Sequence, residues 1–89
     1  MSRRKMYYTY ILQSHKDSGF YTGFSEDLRK RVEAHKAGKV AATKYRLPIQ
    51  LIFYEAYLNK YDALRREQYF KTSKGKSTLR AMLKETLAG

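Results

Sequence analysis

The sequence predicts an α+β fold: a small three-stranded antiparallel sheet flanked by helices, in the order β-β-α-β-α-α. Three observations predict it. Two short segments rich in tyrosine and β-branched residues are separated by a turn sequence, which is typical of a β-hairpin. A third apolar segment follows the single proline of the chain. Apolar residues recur at helical spacing between and after the strands.

The strands are predicted from residue type and turn chemistry. Residues 7–13, YYTYILQ, form the first strand because aromatic and β-branched residues favour extended backbone. The turn sequence SHKDSG separates it from a second strand at residues 20–24. Residues 49–58 are apolar on both faces in their first part, which predicts a central strand that is buried on both sides.

The helices are predicted from their capping residues. The first helix is expected to begin after an N-cap at Ser25 and to end at about Gly38. A second helix is expected between an N-cap at Asn59 and about Thr72, where the segment SKGKS, which contains Gly75, should break it, and a last helix is expected from Ser77. The apolar stripe of the last helix consists of Leu79, Met82, Leu83 and Leu87.

Composition limits the function classes. With 89 residues, 43% of them hydrophobic, residues 1–89 are expected to form a single domain with a modest core. The absence of cysteine excludes a disulfide scaffold and a cysteine-based zinc site. No apolar run approaches the roughly 20 residues that span a bilayer, and the N-terminus lacks a signal-peptide cleavage site. A cytoplasmic protein is therefore expected.

The charge balance indicates a polyanionic partner. Nineteen Lys and Arg residues against eight Asp and Glu residues leave a net charge of +11, spread along the whole chain. Such a field attracts nucleic acid, the expected partner, whereas no helix pairs a basic face with the wide apolar face that a membrane surface requires. The candidate contacts to the nucleic-acid backbone are Lys16, Lys39, Lys44, Arg46 and Lys71.

Three ionisable residues fall on helix faces that should point inward. Arg31 and His35 lie on or beside the apolar stripe of the first helix, and Glu67 lies at the centre of an apolar face of the second. Each also has a purely structural interpretation: Arg31 extends its stem past the core edge, His35 is a half-buried histidine with satisfied hydrogen bonds, and Glu67 pairs with Lys71. Their coincidence in a basic protein favours a phosphate site.

Two tyrosines complete the predicted site. In the hairpin, Tyr10 should lie opposite or diagonal to Tyr21 on one face of the sheet, as an ordinary aromatic pair or as part of a site. Gly23 lies on the same face, and its missing side chain allows another group to approach the backbone closely.

These motifs resemble those of the GIY-YIG nuclease superfamily, the catalytic module of excision-repair and homing endonucleases. The sequence YTY ends at Tyr10 and YTG begins at Tyr21, and the chain is most similar to the short single-domain bacterial members. The resemblance implies that Tyr10, Tyr21, Arg31 and His35 are catalytic and that Glu67 binds the metal. The first motif lacks its glycine, and the asparagine that follows the glutamate in several relatives is absent after Glu67.

The resemblance implies a Mg²⁺-dependent (or Mn²⁺-dependent) endonuclease that hydrolyses phosphodiester bonds in DNA. A single carboxylate is enough to hold Mg²⁺, since waters and phosphate oxygens supply its other ligands. Arg31 would neutralise the phosphate, and one of the two tyrosines would orient or deprotonate the attacking water, with His35 relaying the proton or positioning the phenol. Nearby cations should lower the pKa of such a tyrosine.

Two alternatives follow from the same residues. The first is a basic nucleic-acid-binding module with this fold and little or no catalytic activity, because the motifs depart from the usual family pattern. The second is a small structural RNA-binding protein, which predicts that Tyr10, Tyr21, Arg31 and Glu67 do not converge in one cleft. A partner protein or self-association is a further expectation, since no appended domain supplies substrate specificity.

Overall fold

A computed structural model describes residues 5–89 and confirms the α+β class with a three-stranded antiparallel sheet. The strands are β1 (Tyr7–Ser14), β2 (Phe20–Ser25) and β3 (Ile49–Tyr57). The helices are α1 (Leu28–Lys36), α2 (Lys60–Phe70), α3 (Ser73–Met82) and α4 (Lys84–Ala88). No helix in this part of the chain is long and apolar enough to cross a membrane.

The strand order is β2-β1-β3, with both neighbours antiparallel to β1. The prediction that the third strand is central was therefore wrong, because β1 is the central strand and β3 lies at an edge. Tyr10, Ile11 and Leu12 of β1 are each at most 1% exposed, whereas β3 holds only one fully buried residue, Ile49. An apolar sequence on both faces indicates that both faces are covered, and it does not determine the position of a strand in the sheet.

Helices cover both faces of the sheet. One core lies between the sheet and α1 and is formed by Tyr10, Leu12, Val32 and Ile49. The other lies between the opposite face and the C-terminal helices and is formed by Ile11, Phe70, Leu79 and Leu83. Met82 was expected on the same stripe as Leu79, but it is 46% exposed.

The start of α1 differs from the prediction by two residues. Asp27, rather than Ser25, is the N-cap: its carboxylate accepts a hydrogen bond from the Lys30 N–H at 3.1 Å. The Ser25 hydroxyl instead accepts from the Asp27 N–H at 3.0 Å and so shapes the turn before the helix. Gly38 follows the helix with a φ of +74°, as expected of a C-terminal stop, and Asn59 caps α2 as predicted.

The last helical region begins earlier than predicted, at Ser73 rather than Ser77. Thr72, the predicted end of α2, is the N-cap of α3, and its hydroxyl accepts a hydrogen bond from the Gly75 N–H at 2.9 Å. Gly75 does not break the helix. A β-carbon there would overlap the carbonyl group of Tyr69, so glycine allows α3 to start close against the end of α2.

Candidate active site

The hairpin brings the two tyrosines of the paired motifs together. Tyr10 lies opposite Gly23, and Leu12 lies opposite Tyr21, so Tyr10 and Tyr21 are diagonal neighbours. Their ring centroids are 6.4 Å apart. A β-carbon on Gly23 would overlap the phenol of Tyr10, so the group that approaches this glycine closely is the Tyr10 ring. The predicted pairing is thus confirmed in its diagonal form.

His35 of α1 links the Tyr10 ring to the loop that follows the helix. Its Nε2 lies 2.9 Å from the Tyr10 hydroxyl and its Nδ1 lies 2.7 Å from Thr43 Oγ1. The imidazole is fully buried, and burial, reinforced by the positive charge of Arg31, lowers its pKa to about 4. His35 is therefore neutral at pH 7, with one nitrogen that donates a hydrogen bond and one that accepts.

Arg31 lies one turn before His35 and is exposed to solvent. Its guanidinium lies close enough to the hydroxyls of Tyr10 and Tyr21 for these groups, chiefly Tyr10, to raise the pKa of Arg31. A shallow concavity of about 280 Å³ lies beside it, lined by Ser25, Asp27, Lys30, Arg31 and Ala34. A permanent positive charge beside a concavity and near two phenols is suited to a phosphate group.

Glu67 reaches the site from α2. Its side chain is 14% exposed, and its Oε2 lies 3.2 Å from the Lys71 ammonium. The negative charge of Glu67 contributes to raising the pKa of Tyr10, so the carboxylate lies within range of direct electrostatic interaction with that phenol. The structure thus brings Glu67 towards the cluster of tyrosines, histidine and arginine, although Glu67 and Arg31 come from separate helices.

The pKa of the Tyr10 phenol differs from the expectation. Burial raises the pKa of Tyr10 above its ordinary value of 10.0, and Arg31 opposes this effect without reversing it. The predicted lowering of a tyrosine pKa by nearby cations is therefore not seen at Tyr10. A protonated phenol beside a neutral imidazole is a hydrogen-bonding pair at pH 7.

The donor set offers one carboxylate for a cation. Within residues 5–89, no group of three or more His, Asp or Glu side chains converges on one point. Glu67 nevertheless has the chemistry that Mg²⁺ prefers, a partly solvent-accessible oxygen donor whose partners can be waters and phosphate oxygens. The site therefore fits this ion. On binding, the ion would displace the Lys71 ammonium from Oε2 of Glu67.

Most of the predicted backbone-binding residues gather around the loop between α1 and β3. The Lys16 ammonium donates to the Tyr45 carbonyl at 3.1 Å, and the Lys44 ammonium lies 4.9 Å from the Tyr45 ring centroid. Arg46 forms an ion pair with Asp17 at 3.4 Å. Of the other two residues, Lys39 is exposed on this loop and Lys71 is paired with Glu67.

Sequence reasoning did not identify Thr43. The residue is 1% exposed, and its hydroxyl is the partner of His35 Nδ1. It lies in an irregular segment whose path is set by turns, such as the hydrogen bond from the Thr43 N–H to the Val40 carbonyl. No hydrophobic period extends through this segment, so the sequence carries no signal that would place Thr43 against the histidine.

A larger concavity lies elsewhere, on the other side of α1. It measures about 560 Å³, and its lining includes Tyr8, Val32, Glu26, Asp27 and Glu33. None of the predicted catalytic residues lines it, and its charged residues are of both signs, with Arg29 and Lys36 beside the three carboxylates. The geometry of the tyrosines and Arg31, rather than cavity size, therefore locates the candidate active site.

Comparison with known proteins identifies the family of the chain. Residues 6–80 match the family described as the GIY-YIG catalytic domain. The chain belongs to the GIY-YIG family. Its membership places it among nucleases and indicates a nucleic-acid substrate, and it confirms the resemblance drawn from the tyrosine motifs.

Relatives with this domain include proteins of the UPF0213 group. The chain is 46% identical over 68 residues to a UPF0213 protein of Lacticaseibacillus paracasei, with 75% of each chain covered. It is 43% identical over 74 residues to a UPF0213 protein of Streptococcus pyogenes serotype M5, covering 82% of this chain and 79% of the relative.

A solved structure shares the fold. The solution NMR structure of a UPF0213 protein from Bacillus halodurans matches with a TM-score of 0.56 and 32% sequence identity. The match covers 86% of this chain and 84% of that chain. The fold is therefore that of a known GIY-YIG relative.

Proposed function

We propose that this GIY-YIG protein is a Mg²⁺-dependent endonuclease that hydrolyses phosphodiester bonds in DNA. One observation carries the proposal. The buried His35 is hydrogen-bonded to Tyr10, the Tyr10 ring neighbours that of Tyr21, and Arg31 lies close enough to both phenols for them to raise its pKa. A cluster built only for packing has no need of a permanent positive charge beside it.

Arg31 binds the scissile phosphate. Its guanidinium has the planar, bidentate geometry that matches phosphate oxygens, and it faces the concavity beside α1. Negative charge builds up on the non-bridging oxygens as the water oxygen attacks phosphorus, so a fixed cation there stabilises the transition state more than the ground state.

The two tyrosines of the site, Tyr10 and Tyr21, differ in their exposure to solvent. Tyr10 is 1% exposed and bonded to His35, whereas Tyr21 is only half-buried. Tyr21 is therefore the phenol that meets the attacking water. Tyr10 and His35 position the groups around it, because the neutral His35 ring bonds Tyr10 through one nitrogen and Thr43 through the other.

The bond changes balance as a hydrolysis. The water oxygen forms a bond to phosphorus, its proton passes by way of the Tyr21 hydroxyl to solvent, and the bond from phosphorus to the leaving oxygen breaks as that oxygen takes up a proton from solvent. The products are a phosphate monoester and an alcohol. Glu67 would hold Mg²⁺, which supplies Lewis-acid stabilisation of the leaving oxygen when bound.

Nicking of supercoiled plasmid tests this proposal. Wild-type protein is compared in Mg²⁺, in Mn²⁺ and in EDTA with Arg31→Ala and Glu67→Gln. The matched controls are Arg29→Ala, which removes the same charge from an exposed position on α1, and Glu85→Gln on α4. We expect metal-dependent nicking that Arg31→Ala and Glu67→Gln each slow by roughly 100-fold or more, while both controls nick like wild type.

The variants also separate binding from chemistry. Glu67→Gln should still retard DNA in a gel in EDTA, because it removes a negative charge and leaves Arg31 intact. Wild-type protein that binds DNA but never nicks it in any metal contradicts the endonuclease proposal for this substrate. Equal loss of nicking in Arg29→Ala and Arg31→Ala contradicts the specific role of Arg31.

A second candidate is a nucleic-acid-binding module without efficient catalysis. The observation that favours it is the ion pair between Glu67 and Lys71, in which a lysine occupies the carboxylate that a cation requires. In this case RNA as well as DNA is a candidate partner, and a partner protein or a second copy would supply substrate specificity. Retained DNA binding without nicking in the experiment above supports this candidate.

A further inference from the structure

The loop between α1 and β3 presents a tyrosine to solvent beside the candidate site. Tyr45 is 75% exposed, more than any other strongly exposed large apolar side chain in residues 5–89. A single exposed aromatic residue is common on protein surfaces and indicates nothing alone. Three further observations indicate that Tyr45 binds a ligand: its ordered backbone, its charged neighbours and its position relative to His35.

The backbone beneath Tyr45 is fixed from two sides. The Ser14 hydroxyl donates to the Arg46 carbonyl at 2.6 Å, and the Lys16 ammonium donates to the Tyr45 carbonyl at 3.1 Å. Within the loop, the Arg46 N–H donates to the Thr43 carbonyl at 2.9 Å. The ring therefore stands on ordered backbone, and a ligand that contacts it pays little of the cost of ordering a loop.

Two lysines lie beside Tyr45. The Lys44 ammonium lies over the ring, 4.9 Å from its centroid, and the Lys16 ammonium donates to the backbone carbonyl of Tyr45. Aromatic rings flanked by cations are typical of surfaces that bind single-stranded nucleic acid, because the ring stacks on a base while the cations contact the backbone.

The ring is also close to the tyrosine cluster along the chain. Thr43, two residues before Tyr45, contacts His35, whose other nitrogen contacts Tyr10. Two residues of extended chain span at most about 7 Å. The ring is thus attached near the site, within reach of a nucleotide that neighbours the bound phosphate.

We propose that Tyr45 stacks on an unpaired nucleobase next to the phosphate held at the candidate site. In a continuous duplex each base is covered by its neighbours, so the face that Tyr45 requires is available at single strands, strand ends and junctions. The substrate class is therefore nucleic acid with a single-stranded segment. The inference rests on the proposed function only for the identity of the adjacent phosphate site.

Binding titrations in EDTA test this inference without requiring cleavage. A short labelled oligonucleotide is titrated as a single strand and as a blunt duplex of the same length. The proteins are wild type, Tyr45→Leu, Tyr45→Phe and the control Tyr61→Leu, which removes another strongly exposed tyrosine, on α2. In a second titration, 2-aminopurine in the single strand reports stacking through quenching of its fluorescence.

We expect Tyr45→Leu to weaken single-strand binding by roughly five- to 150-fold, the range observed for the loss of one stacked base. Duplex binding should change little, Tyr45→Phe should keep both the affinity and the quenching, and Tyr61→Leu should resemble wild type. Undiminished single-strand binding by Tyr45→Leu overturns the inference, as does an equal loss for both substrates. A protein that stacks through Tyr45 but never nicks DNA keeps this inference and contradicts the endonuclease proposal.

Discussion

The two faces of the sheet hold different chemistry. On the face covered by the C-terminal helices, Ile11, Phe70, Leu79 and Leu83 form an apolar core. The buried hydroxyl on this face, that of Thr9, donates to the Ala63 carbonyl of α2 at 2.6 Å. On the face covered by α1, Tyr10 and Leu12 pack beside His35 and Thr43, whose polar atoms are bonded to each other.

The two faces are stabilised in different ways. The apolar core needs no partner beyond close packing, whereas every polar atom on the α1 face depends on a specific neighbour. His35 illustrates the cost, since burial there stabilises the neutral imidazole and disfavours the charged form. The α1 face is therefore the one on which stability depends on protonation state and hydrogen bonding as well as on packing.

The largest expected effect is on the apolar face. Phe70→Ala removes a fully buried ring from contact with Phe53 and Ile11, and we expect it to lower the free energy of unfolding by about 4 kcal/mol. Urea denaturation measures the change. Met82→Ala, at a 46% exposed position on α3, is the control and should cost far less. Similar losses for the two variants would show that this face is not the main source of stability.

The next effect is a pH dependence that originates on the α1 face. The pKa of His35 falls from 6.5 to about 4 on folding, so the unfolded chain binds more protons between these values. The contribution of His35 to the free energy of unfolding is therefore complete above pH 6.5. It is lost as the pH falls towards 4, by about 3 kcal/mol in total. Urea denaturation at a series of pH values measures it.

Two variants isolate the histidine in that series. His35→Gln should be less stable at pH 7 but should lose this part of the pH dependence, while His15→Gln, which removes the exposed histidine, should keep it. A wild-type protein whose stability is flat from pH 6.5 to 4, relative to His35→Gln, shows that His35 is not held neutral by the fold.

The smallest effect concerns the hydrogen bond between Thr43 and His35. Thr43→Val keeps the volume but leaves His35 Nδ1 without its partner at 2.7 Å, and we expect a loss of about 2 kcal/mol in the free energy of unfolding. Thr43→Ser keeps the hydroxyl and should lose less.

The nitrogen chemical shifts of His35 provide a second measurement, because they report which ring nitrogen carries the proton. They should change in Thr43→Val and stay near wild type in Thr43→Ser. Unchanged shifts in the valine variant would mean that Tyr10 alone fixes the tautomer.

The sequence predicted the parts of this molecule that depend on local rules. Alternation along β1 and β2 placed Tyr10, Tyr21 and Gly23 on one face, and the register of the hairpin agrees. Helical period placed His35 inward, where it is fully buried. These positions follow from residues a few places apart, so the sequence contains the necessary information.

The errors arose where distant residues decide the structure. Gly75 resembles a helix breaker in isolation, yet it lies within α3 because the carbonyl of Tyr69 comes so close that a β-carbon would not fit. The edge position of β3 depends on strand order, and the role of Thr43 depends on the turns of a loop. Propensity and periodicity contain none of these long-range contacts.

The order of the site residues along the chain bears on how the site is assembled. Tyr10, Tyr21, Arg31 and Thr43 follow one another in the first half of the sequence, joined by one hairpin and one helix. Because closing short loops costs little entropy, these groups come together at a small cost in conformational entropy. Glu67 comes from beyond β3, the strand that completes the sheet. A chain that stops before α2 therefore carries the phosphate-binding groups but lacks the carboxylate, which makes the cation site the part of the molecule most sensitive to premature termination.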